Sequence, residues 1–120
     1  VINIKQFVRS VLMNLDIINL TADKKVYLIK ATNATAPYVT YTFIDEWGAE
    51  FAENDEIATN YSIQIDVYSK GDFTELVEKI KEKMKDNDFY RTSVNDFYEN
   101  DTGLYHCAIR FVYTKNKIGE

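Results

Sequence analysis

The sequence predicts an α+β fold: a mainly antiparallel sheet with two helices packed on one face, in the order α-β-β-β-α-β-β. Two adjoining stretches carry this expectation. In Tyr61-Ser-Ile-Gln-Ile-Asp-Val-Tyr-Ser69, the residues Tyr61, Ile63, Ile65 and Val67 fall on one side, and Ser62, Gln64 and Asp66 on the other. Strict alternation over this length means a strand with one face on a core. After Gly71, the run Asp72 to Lys85 switches to a helical period. At 120 residues the chain is long enough for a sizeable core. We read residues 1–114 as a single domain and 115–120 as a flexible C-terminal tail.

The elements follow in order. Residues 3–18 read as an amphipathic helix, with Ile4, Phe7, Val8, Val11, Leu12 and Leu15 along one stripe and a weak capping box of Asn3 with Gln6. Thr21 to Lys25 is a polar turn, and Val26 to Ile29 a short strand. Ala31 to Pro37 has loop composition and holds the only proline. Tyr38 to Ile44 is β-branched and aromatic, a strand with Val39, Tyr41 and Phe43 on one face. Residues 45–60 read as a long hairpin connection before the strand at Tyr61. The helix at 72–85 has Asp72 as N-cap, Glu75 completing a capping box, and Phe73, Leu76, Val77, Ile80 and Met84 as its buried stripe. Glu75 and Lys79 are spaced for an i,i+4 pair. Phe89 to Tyr98 is polar enough for an edge strand. Leu104 to Thr114 closes the sheet, with Tyr105, Cys107, Ile109, Phe111 and Tyr113 on one face and His106, Ala108, Arg110 and Val112 on the other.

Charge narrows the function classes. The net charge is −5, and basic residues are spread along helices and the tail, a poor basis for general nucleic-acid binding. Asp45, Glu46, Glu50, Glu53, Asp55 and Glu56 fall within twelve residues that contain no Lys or Arg, with Trp47 and Phe51 among them. One cysteine excludes an internal disulfide and fits a reducing compartment. No apolar stretch approaches the ~18 residues of a membrane span, and no signal peptide is recognisable. The chain opens on Val1 rather than Met. The glycosylation triplets at Asn19, Asn33, Asn60 and Asn100 are read as chance in an Asn- and Thr-rich sequence.

The sequence contains no convergent catalytic motif. His106 and Cys107 are adjacent in a strand, so they point to opposite faces and are not a nucleophile–base dyad. Cys107 stands on the apolar register as a core residue, and His106 reads as a surface or interface side chain. Zinc would need more His and Cys than the chain has. Asp45, Glu46, Asp55 and Glu56 are weak candidates for Mg²⁺ or Ca²⁺ should the loop fold back, but no calcium-loop spacing is present and a solvated acidic loop is the better reading. No cofactor is expected beyond Mg²⁺ assistance to assembly. Phosphate-cradling glycine patterns are absent. Exposed Trp47 and Phe51 would suit protein contacts; tucked under the loop, they would form a satellite cluster.

Three segments together carry a family likeness: Pro37-Tyr-Val-Thr-Tyr41, the strand–helix unit Tyr61 to Met84, and Asp101-Thr-Gly-Leu-Tyr-His-Cys-Ala-Ile-Arg-Phe111. In order and spacing the chain resembles the small tail-terminator (tail-completion, minor tail) proteins of siphophages and Gram-positive prophages. These shade into the head–tail joining proteins of the neck. The resemblance implies a non-enzymatic structural role. Such proteins form a ring, commonly of six copies, that caps the tail tube, stops its elongation and presents a surface to the head connector. It implies self-association, tail tube and connector proteins as partners, DNA only as passing cargo, and no membrane. It places the protein in the virion tail, assembled in the bacterial host cytoplasm. Ring closure uses heterologous contacts, one patch meeting a different patch on the neighbour. Asp45, Glu46, Trp47, Glu50, Phe51, Glu53, Asp55 and Glu56 are then candidates for a channel lining or a partner contact. Tyr90 and Arg91 are candidates on an edge strand that pairs with a neighbour. Two other classes fit the composition: an acidic inhibitor or immunity-type module that masks a basic partner, and a metal-assisted enzyme using the 45–56 carboxylates.

Overall fold

A computed structural model describes residues 3–116. Five strands form one sheet in the order β1-β2-β3-β5-β4, and three helices accompany it. The strands are β1 (Val26–Leu28), β2 (Tyr38–Ala52), β3 (Asp55–Ser69), β4 (Tyr90–Glu99) and β5 (Leu104–Asn116). The helices are α1 (Ile4–Leu12), α2 (Leu15–Ile18) and α3 (Thr74–Asp86). All strand pairs are antiparallel except β1 with β2, which run parallel.

The expected single helix over 3–18 is two. Asn3 caps α1 by accepting from the Lys5 backbone N–H at 2.8 Å. Met13 ends it, and Asn14 caps α2 by accepting from the Asp16 N–H at 2.9 Å. The break re-aims the chain. Ile17 and Ile18 go into the core, while Leu15, expected in the stripe, is 66% exposed. Periodicity alone missed it because the apolar spacing runs on through the break; the signal was Asn14, a residue type that favours N-caps over helix interiors. α3 begins at Thr74 rather than Asp72, since the Asp72 carboxylate bonds the Thr74 N–H and hydroxyl and turns the chain just before the first helical residue. Leu76, Val77, Ile80 and Met84 are buried on its inner face. Lys79 pairs with Glu82 at 3.3 Å rather than with Glu75.

β3 lies at the centre of the sheet. Ile63, Ile65 and Val67 face the helices beside Val39 of β2 and Cys107, Ile109 and Phe111 of β5, all essentially sealed from solvent. Val8 and Leu12 of α1, Ile17 of α2, and Ile80 and Met84 of α3 close over them. Each such aliphatic side chain contributes about 1.5–3 kcal/mol through burial. Strand ends differ slightly from expectation. β1 stops at Leu28 because Ile29 turns at φ 67°. β4 is shifted one residue on, to 90–99, with Phe89 buried as its lead-in. β5 runs through Lys115 and Asn116, which pair with Thr59 and Ala58, so these two residues are strand and not tail. The remainder of the expected tail, 117–120, lies outside the described residues.

The largest correction concerns 45–60. This stretch is not a loop. β2 and β3 are 15 residues each and stay paired down to Ala52–Asp55, with register shifts after Phe43 and between Gly48 and Phe51. Glu53 and Asn54 make the whole turn, at φ 53° and 70°. Two central residues at positive φ match the twist of a hairpin. β1 reaches only to the level of Tyr41, whereas β5 accompanies β3 out to Ala58. Among the described residues the β2–β3 ribbon therefore loses its β1 neighbour first and is strictly two-stranded only at its tip, residues 50–52 with 55–57. The molecule is accordingly elongated, 52 × 27 × 24 Å. Acidic residues obscured the strands at this end because β-propensity scales reflect half-buried faces, and here β2 is mostly exposed from Ile44 on while β3 buries only the small residues Ala58 and Thr59.

Candidate functional site

Two surfaces carry unusual chemistry: the ribbon and the sheet face opposite the helices. On the ribbon, the register separates the carboxylates expected to converge. Asp45 stands opposite Ser62 and Glu46 opposite Tyr61, whereas Asp55 and Glu56 pair with Ala52 and Phe51 near the tip. The two pairs lie at opposite ends of the ribbon. The fold-back that would have joined Asp45, Glu46, Asp55 and Glu56 around a hard cation is overturned, since hydrogen-bonded strands fix their separation. Among the described residues no group of three or more His, Cys, Asp or Glu side chains is placed to hold a metal.

Trp47 and Phe51 are 42% and 63% exposed. Phe51 lies back across Gly48, where a Cβ would collide with its ring and with the Glu56 carboxylate. Gly48 thus provides the seat for the ring, and Glu56 also accepts from the Thr59 hydroxyl at 2.9 Å. Irregular register between Gly48 and Phe51 increases the local twist. Glu46, Glu50, Glu53 and Asp55 are exposed along the same ribbon. Tyr90 and Arg91 are elsewhere, on the outer strand β4, where they line a shallow groove with Lys81, Lys85 and Phe89.

The open sheet face holds a cluster that sequence reasoning missed. Asp66 is 6% exposed and accepts from Gln64 at 3.0 Å. It also meets His106 Nε2 at 2.7 Å, while His106 Nδ1 lies 3.4 Å from Glu99. Arg110 donates to Gln64 at 2.6 Å, extending the network along β3 and β5. Above it runs a row of rings, one from each of four strands in direct register: Tyr38 with Tyr68, Tyr68 with His106, His106 with Phe97. Tyr68 stacks on His106 at 4.3 Å and on Tyr38 at 4.8 Å between centroids. Burial, then the Asp66 and Glu99 charges, push the Tyr68 phenol up to about 12, and burial and Glu99 raise Tyr38 as well. The available signal was aromatic residues standing in otherwise polar registers. What the sequence does not print is which strands become neighbours.

His106 and Cys107 point to opposite faces. Cys107 is 1% exposed, and burial followed by its hydrogen bond with Asp96 pushes the thiol up to about 12. It is held as a protonated core residue. The imidazole between two carboxylates ties β3, β5 and β4 together across 40 residues of sequence. Among the described residues no helix is long and apolar enough to cross a membrane. The chain matches no family model, and no curated protein is a significant match.

Proposed function

We propose that the protein is a structural component of a phage or prophage tail that caps the tail tube as a ring, stops its elongation and supplies the head-joining surface. The observation that supports this reading most is the ribbon. A polypeptide that extends two central strands well beyond their own core, and clothes them in carboxylates and exposed aromatic rings, has built an arm for contact outside its own fold. Among the described residues no strand pairs with the outer edge of β4, which adds a second surface with Tyr90, Phe97 and Tyr98 all more than half exposed. Two different surfaces of this kind suit the heterologous contacts of a ring. The chain's acidity leaves DNA as cargo to be passed rather than bound.

The test uses the tail tube protein of the same phage or prophage. Tubes polymerised with the purified chain should end early and carry it at one end only, seen by electron microscopy of a labelled protein. An unchanged length distribution with no label at tube ends would sink the reading. Label at the head connector and none on tubes would assign the protein to the neck instead.

A further inference from the structure

The ribbon's carboxylates account for more than the whole net charge of −5, so the rest of the chain is close to neutral. On α3 three lysines are compensated within the molecule. Lys79, Lys81 and Lys83 pair with Glu82, Glu78 and Asp16. On the ribbon, Glu46 and Glu50 are exposed and form no ion pair among the described residues. The edge at β1 shows the opposite pattern. Lys24, Lys25 and Lys30 are exposed and have no carboxylate partner among the described residues. Lys24 donates to the Asn19 carbonyl, and Lys25 lies over the Tyr27 ring at 5.3 Å. Between these lysines Leu28 and Ile29 are 42% and 67% exposed. Among the described residues, no further strand lies beyond the three-residue β1 at this edge of the sheet.

The two surfaces complement each other in both charge and apolarity. One offers Glu46 and Glu50 around Trp47 and Phe51; the other offers Lys25 and Lys30 around Leu28 and Ile29. We propose that the occupant of the β1 edge is the acidic ribbon of a second copy of this chain, docked head to tail. The patches differ, so each copy gives a ribbon to one neighbour and receives one from the other, and the contact propagates until it closes or extends as a filament. This rests on the ring reading above and assigns its joint to the β1 edge, leaving the β4 edge for other contacts, and it makes a claim that can be checked on the purified chain alone.

The experiment is sedimentation of the full chain with two charge reversals, E46K/E50K on the ribbon and K25E/K30E at the edge. The unmodified protein is expected to associate at low salt and to weaken at least about tenfold by roughly 0.5 M salt, where the Debye length is only a few ångströms. Each variant alone brings like charges together and should associate at least about tenfold more weakly. An equimolar mixture should recover, because each reversed surface then meets an opposite charge on the other variant. The chain carrying all four reversals should recover as well. All substituted sites are exposed, and thermal melting monitors folding, with E46Q/E50Q replacing any variant that fails to fold and expected to weaken association too. Association indifferent to either reversal, a mixture no better than its parts, or a wild-type monomer up to about 1 mM would overturn the proposal. A chain that still caps tubes but fails here assembles through other contacts. A chain that shows the rescue but ignores tubes keeps the joint and loses the tail role.

Discussion

Asp66 is a carboxylate almost sealed beneath rings, and it depends on His106 and Gln64 for its hydrogen bonds. Replacing His106 with Ala strips one partner from a buried acceptor and breaks the ring row at its third member. We expect a loss of about 1–3 kcal/mol, read as a lower urea midpoint at unchanged slope. A loss below about 0.5 kcal/mol would show that the cluster contributes nothing to stability. Cys107 tests burial directly. Its thiol should resist alkylation at pH 8 in the native protein and react rapidly in denaturant; equal rates would contradict its place in the core. Of these two neighbours, Cys107 was legible because its register is apolar on both sides. His106 was not, because its meaning comes from Asp66, 40 residues earlier, and no local pattern encodes that pairing.

The β2–β3 ribbon shows how an element can escape sequence reading. Its core-facing half alternates cleanly in sequence, whereas the residues buried in its distal half, Ala58 and Thr59, are small and adjacent, so no alternation marks them. The turn is also chemically muted, since Glu53 and Asn54 occupy positive-φ positions that Asn-Gly would fill with less strain. Exchanging them for Glu53→Asn/Asn54→Gly should stabilise the hairpin by roughly 1 kcal/mol, by relieving the left-handed strain. The readout is slower amide exchange along 45–58, since opening of the arm need not unfold the core. Faster exchange would argue against a two-residue turn. α3 was the most legible element: Leu76, Val77, Ile80 and Met84 are buried and Glu75 stands in its first turn as expected, while Phe73, expected in the stripe, is half-buried at the N-cap just before the helix. Ile80→Ala in its fully buried centre should cost about 2–5 kcal/mol in chemical unfolding. A near-neutral result would mean that α3 does not close the core.

At the scale of the molecule, the α+β class and most strands were readable, whereas neighbour order, the parallel β1 and the helix break were not. The class follows from local periods. Order depends on which long-range pairings bury the most surface, as in the β3–β5 ladder that α3 spans. The assembled fold also has an alkaline weakness. Cys107 and Tyr68 both titrate near 12 in the fold, against ordinary values of 9.0 and 10.0. A raised pKa means that these groups favour folding fully below their unfolded values and lose that contribution as pH rises through the folded ones. Melting temperature should therefore fall between about pH 9 and 12, and Cys107→Ala should flatten the start of that fall. A profile level across this range would rule the linkage out. The ribbon's continuity with β3 has a mechanical side. Ladder hydrogen bonds lie across the strands, so a load along the arm shears all the registered β3–β5 pairs from Ala58 to Ser69 together instead of peeling them singly. An arm rooted in this way behaves as a stiff strut. Single-molecule traction applied at Asn54 along its axis should meet far greater resistance than the same force applied across the outer strand β4.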